Sequence, residues 1–196
     1  MLASINPLGE RARERRWGVT VAAYLLGSTA AAALFGAVLG ALGHALPLRA
    51  GPTALLVVML TALALAVDLG VGGLRLPTVH RQVDKDWLGR YRGWVVGAGF
   101  GVQLGLGVVT IVNTASVYLM LALALLTGSV AAGALVGATF GLVRGLVILV
   151  VARVRRPDQL RIALRRVNAW RPLSERVGIA VQALVLVAAG AVAIAH

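Results

Sequence analysis

Hydrophobic residues run in long blocks along this chain, and most polar residues fall between the blocks rather than inside them. A helix needs roughly 20 apolar residues to cross the hydrocarbon core of a bilayer. The pattern therefore predicts spanning helices over about 19–42, 53–73, 94–126, 130–152 and 177–195. "HALPLRAGP" (44–52), with two prolines, predicts a turn after the first span, and "TGS" (127–129) is the only turn signal inside the long block from 94 to 152. The 94–126 block is longer than one crossing requires; strong tilt, or an interruption near its glycines, would absorb the excess. The stretch 152–176 follows a different period. Leu160, Leu164, Val167 and Trp170 recur at helical spacing with Arg161, Arg165 and Arg166 turned elsewhere, which predicts an amphipathic helix lying at the cytoplasmic interface.

Composition strengthens the membrane reading. The chain is 59% hydrophobic and 13% charged, against about 45–50% apolar and about 25% charged residues in soluble domains. The expectation is an all-α integral membrane protein with a basic cytoplasmic segment at 1–18 and one transmembrane domain at 19–196, its cytoplasmic loops at 74–93 and 153–176. The net charge of +12 could point to nucleic acid, but 17 of the 19 Lys and Arg lie in three segments, 10–17, 75–92 and 153–176. They alternate with the spans as cytoplasmic segments do. This predicts five crossings with the N-terminus inside and the C-terminus outside, anionic lipid headgroups as partners of the loops, and no nucleic acid. The apolar run after the basic start is too long for a signal-peptide core, so it reads as a retained first span. One Lys against 18 Arg, with heavy use of Ala and Gly, points to a GC-rich bacterial genome and so to a bacterial plasma (inner) membrane.

Candidate chemistry is sparse. The absence of cysteine excludes disulfides, thiolate metal sites and thiol relays. "VVGAGFGVQLGLGVVTIVNT" (95–114) is rich in glycine but has no Lys after its glycines and no flanking strand, so it is not a phosphate loop. Gly97, Gly101 and Gly105 stand four apart, as do Gly133, Gly137, Gly141 and Gly145, with Gly36 and Gly40 as a shorter pair. Such small-residue ladders let membrane helices approach closely. In a continuous helix Gln103, Thr110 and Thr114 would share one stripe, with Asn113 on its shoulder, as interhelix hydrogen bonds or as a solute-facing path. Asp68 and Arg144 are charges inside spans, where insertion of one costs about 2.5–3.5 kcal/mol, so each needs a partner or a polar interior. An Asp68–Arg144 contact is the expectation, with separate snorkelling as its alternative. His80 with Asp84 is the one histidine–carboxylate pair at helical spacing, and it sits among Arg81, Lys85 and Arg90 as a solvated cluster rather than a metal site. No metal, cofactor or catalytic constellation is expected, and the chain is not read as an enzyme. "GAVLGALG" (36–43) is echoed by "GALVGATFG" (133–141) in a span of opposite direction, the mark of a possible inverted repeat.

"LRLPTVHRQ" (74–82), the basic loop after it and the block from 97 to 142 resemble the second half of the CcdA/DsbD-type cytochrome c biogenesis membrane proteins, and "YLLGSTAAAALFGAVLGALG" (24–43) resembles that family's second helix. The resemblance implies an inverted-repeat membrane fold, shared with the wider LysE-like exporter group. It also implies a thiol relay through one cysteine in each half, which this chain cannot perform: Val109-Thr110-Ile111 stands where Thr-Pro-Cys is expected. The family's first helix has no evident counterpart, which leaves one half incomplete. Two readings follow. The chain moves a small solute or ion, alone or as a subunit; or it is a non-catalytic subunit or assembly partner that meets another membrane protein, or a second copy, through its third span.

Overall fold

In hydrocarbon a backbone polar group has no water to bond, so an apolar block must satisfy its own N–H and C=O groups as a helix. The computed structural model describes residues 5–46, 50–73, 90–107 and 114–195, and they are helical with no strand among them. The helices are α1 (Pro7–Ala12), α2 (Trp17–His44), α3 (Ala50–Asp68), α4 (Gly93–Gly105), α5 (Ser116–Leu126), α6 (Val130–Leu146), α7 (Pro157–Ala169) and α8 (Arg171–Ala195). Short 3-10 turns follow α3 at Val71–Gly73 and α6 at Val147–Val151. Among the described residues three runs are long and apolar enough to cross a membrane: Trp17–His44, Val130–Val151 and Pro157–Ile194. Thr53–Asp68 and Ser116–Leu126 are shorter apolar helices.

Helix ends follow local chemistry. Asn6 accepts from the Gly9 N–H at 2.9 Å ahead of Pro7, and Ser129 accepts from the Ala132 N–H at the start of α6. The Gln159 side chain accepts from the Arg155 and Arg156 N–H groups and so starts α7. The last long helix begins at Arg171, earlier than the expected 177, because Pro172 falls in its first turn, where the missing N–H costs nothing.

α2 is the centre of the molecule, with α6 on one side and α4 on the other. Its contact with α6 is antiparallel: 28 faces 141, 32 faces 137, 36 faces 133 and 40 faces 129. The contact is reciprocal at its tightest point, where a Cβ on Gly36 would fall on the Gly133 carbonyl and one on Gly133 would fall on the Gly36 carbonyl. The contact with α4 is parallel: Gly97, Gly101 and Gly105 lie against the carbonyls of Thr20, Tyr24 and Ser28. Ser28, fully buried, sits where both ladders meet, and its hydroxyl donates to the Gly141 carbonyl at 2.8 Å.

α3 and α8 form a second pair, joined to the first group mainly through α5. At one end of the bundle Ile5 packs with Val21, Val96, Phe100, Val151 and Val154, and α7 lays Leu160 and Ala163 on this cluster. At the other end the turn after α2 meets the turn before α6, with His44 Nδ1 3.2 Å from the Gly128 carbonyl. The described members of the three basic segments thus gather at the end opposite the 44–46 and 127–129 turns.

Candidate functional site

The third expected span is not one helix. α4 stops at Gly105, with Leu106 and Gly107 in a turn, and α5 starts at Ser116 after Thr114 and Ala115. Gly107 takes φ +72, which an L side chain rarely adopts, and a Cβ there would press on Val117 and Phe140. A helix end has carbonyls or N–H groups outside its own ladder, and an apolar interior offers them no water.

Each end has a charged partner of the right sign. Arg144 of α6 directs Nη1 at the carbonyls of Leu104 and Gly107, 3.5 Å from each, with its guanidinium carbon 5.5 Å from the centre of the Phe140 ring. The C-terminal end of a helix carries partial negative charge, which a guanidinium complements. At the other end Asp68 Oδ1 accepts from the Ala115 N–H at 2.6 Å, a carboxylate on the positive end of α5. Gln182 of α8 completes this group: its Nε2 donates to Asp68 Oδ2 at 2.7 Å and to Ser116 Oγ at 2.8 Å. Gln182 is 2% exposed, and its Oε1 has no hydrogen-bond partner among the described residues. α3 and α5 border a half-open apolar pocket of about 150 Å³, lined by Leu60, Ala64, Val67, Ala115 and Leu119 among others.

The expected Asp68–Arg144 contact is therefore absent. The ion pairs among the described residues join Arg13 to Glu10 and Arg171 to Glu175. The physical reason is the break, because two oppositely charged helix ends give each residue its own partner. The break also removes the continuous helix on which the Gln103, Thr110, Thr114 stripe depended. Gln103 is half-buried in α4 and Thr114 lies ahead of α5, while Thr110, Asn113, His80 and Asp84 lie outside the described residues. Gly97, Gly101, Gly105, Gly133, Gly137 and Gly141 all stand at contacts with α2. The glycine face of α4 packs on α2 of the same chain.

Sequence reading passed over Gln182, Ser116 and Ser28. Gln182 is the sole polar residue from 177 to 195, the same signal that singled out Asp68. Ser28 continues the four-residue ladder of Ala32, Gly36 and Gly40 toward the N-terminus. A second polar group lies at the basic end, where fully buried Glu10 accepts from Thr20 Oγ1 at 2.6 Å and, nearer the surface, Arg15 Nη2 donates to the Tyr91 carbonyl at 2.6 Å. No group of three or more His, Cys, Asp or Glu that could hold a metal occurs among the described residues.

The family model for the cytochrome c biogenesis protein transmembrane region matches residues 2–190. The chain is also similar to the methylamine utilization protein MauF of Paracoccus versutus, 30% identical over 194 residues, covering 97% of this chain and 68% of that protein. To MauF of Paracoccus denitrificans it is 33% identical over 178 residues, covering 89% of this chain and 61% of the relative. MauF of Methylophilus methylotrophus is 30% identical over 182 residues, again with 61% of the relative covered. The chain spans about two thirds of the length of these curated relatives. No solved structure matches it. On the family match across nearly its whole length, this chain belongs to the family of the cytochrome c biogenesis protein transmembrane region.

Proposed function

We propose that this chain is a membrane component of a protein-maturation system and that it passes a small solute or ion across the bilayer, alone or as a subunit, by a route that uses no thiol. One observation carries the reading: a helix interrupted inside the bundle, with Arg144 on the carbonyl end and Asp68 on the N–H end. Discontinuous helices whose ends face polar groups are how many transporters build a site within the bilayer. The family match supports the maturation setting, and the relatives' names attach those proteins to methylamine utilization. The cysteine-free sequence separates the chain from any relay of reducing equivalents through thiols. In this reading the chain does no covalent chemistry and its family architecture serves a LysE-like export path.

The orientation belongs to the same reading. The basic segments gather at the bundle end that carries Ile5, Arg15, Tyr91 and Leu160. By the positive-inside rule we read that end as cytoplasmic, with five passages across the bacterial plasma membrane, N-terminus in and C-terminus out. The antiparallel, reciprocal contact of the echoed segments 36–43 and 133–141 supports descent from an inverted repeat.

The test is complementation in the organism that encodes the chain. A strain lacking it is supplied with wild type or with Asp68→Ala at equal membrane abundance, and covalently haem-bearing proteins are measured. Loss in the deletion strain, restored by wild type and not by Asp68→Ala, is expected. Full restoration by Asp68→Ala would replace the conduit with the alternative, a non-catalytic subunit or assembly partner. An unchanged set of haem proteins in the deletion strain would remove the maturation setting.

A further inference from the structure

The outer face of α7 carries charge that the chain does not neutralise. Arg161, Arg165 and Arg166 are all exposed and form no ion pair among the described residues. Arg153, Arg155 and Arg156, just before the helix, are exposed as well. The one acid between 153 and 170 is Asp158, whereas neighbouring Arg171 is matched by Glu175 at 2.9 Å. The helix cannot roll these arginines inward, because its other face is committed: Leu160 and Ala163 pack against the cluster of Ile5, Val151 and Val154.

Apolar side chains are exposed here too, Ile162 within α7 and Trp170 just after it, although the residue spacing predicts Trp170 on the packed side. Ile162 is 56% exposed and Trp170 is 50% exposed. A face both strongly basic and apolar suits neither bulk water nor hydrocarbon; it suits the boundary between them, where tryptophan collects and arginine reaches headgroups. The chain's course fixes the depth. α8 opens with the exposed polar segment 171–176 and turns apolar from Val177 to Ala195, so the arginine face stands one short polar lead away from the apolar run, at its boundary.

We propose that this face of α7 docks anionic phospholipid headgroups. Arg161 and Arg165, one helical turn apart, each offer a planar fork of donors to a lipid phosphodiester. Trp170 and Ile162 enter the glycerol layer beside it. An acidic protein or a nucleic acid would satisfy the charge alone, whereas a lipid satisfies the charge and the exposed apolar side chains together. The proposal does not depend on what the chain transports.

The test uses the full chain with Trp17, Trp87 and Trp94 changed to Phe, so that Trp170 is the reporter. It is reconstituted in vesicles of equal parts phosphatidylcholine and phosphatidylglycerol, with bromine on the acyl chains of one lipid or the other. Brominated phosphatidylglycerol should quench Trp170 several-fold more strongly than brominated phosphatidylcholine at low salt, given how strongly each basic residue is drawn to an anionic surface. The preference should vanish near 1 M salt, where the screening length is about 3 Å, and in Arg161→Gln/Arg165→Gln/Arg166→Gln. Equal quenching by both lipids at low salt overturns the proposal, as does a preference that survives the substitutions. If the triple variant does not fold, the salt dependence of the reporter chain decides the same question.

Discussion

Gly36 and Gly133 show how a missing side chain organises this bundle. Each has the other's carbonyl where a Cβ would stand, so neither tolerates a methyl group without separating α2 from α6. Lipid tails are as apolar as side chains, so these helices gain little from hydrophobic burial and depend on close van der Waals contact. Gly36→Ala should therefore lower stability by about 1–3 kcal/mol, the usual cost of overpacking. Gly190, with nothing within 4 Å of its Cβ position, is the matched control. Gly190→Ala should leave stability unchanged or raise it by up to about 1 kcal/mol, since glycine is the poorer helix former. Reversible unfolding in mixed detergent micelles measures both, and equal effects at the two sites would refute the contact.

At the level of elements, the interrupted helix turns two intramembrane charges into two separate caps. Asp68 works with α5 and α8 through Ala115, Ser116 and Gln182, while Arg144 works with α4 through Leu104 and Gly107. Two double-mutant cycles separate this arrangement from an ion pair. Asp68→Asn and Gln182→Ala should show a coupling of about 0.6–1.7 kcal/mol, the range of interhelix hydrogen bonds in membranes. Asp68→Asn and Arg144→Gln, whose described partners differ, should add to within about 0.5 kcal/mol. The reverse ranking would restore the ion pair. Among the described residues the hydrogen bonds of Gln182 run through its amide nitrogen, to Asp68 and Ser116.

For the whole molecule, the cysteine-free sequence provides a direct test of the proposed orientation. Single cysteines can be placed one at a time with no background reaction. Exposed Leu46, beside the turn after α2, and exposed Ile194, near the end of α8, should become Cys residues labelled by a membrane-impermeant maleimide from outside intact cells. Ala12→Cys and Asp158→Cys, exposed at the opposite end of the bundle, should label only after the membrane is opened. Labelling of Ala12→Cys in intact cells would invert the topology. Labelling of Leu46→Cys and Ile194→Cys on opposite sides would change the number of crossings.

The helical class, the membrane setting and the small-residue faces were all readable from 196 letters, because they depend on local facts. An apolar block in hydrocarbon has one way to satisfy its backbone, and glycines four apart fall on one face of any helix. The identity of Asp68 and Arg144 as residues needing partners was readable for the same reason, since a charge in a span is costly wherever it stands. Their partners were not. Antiparallel register, with 28 against 141 and 36 against 133, brings together residues about a hundred positions apart, and no single stretch encodes it. The Asp68 group likewise draws on three helices, and Gln182 lies 114 residues from the carboxylate it holds. The break near Gly107 was only one of two ways to fit a long apolar block, and packing chose it by supplying a cation for one helix end and an anion for the other.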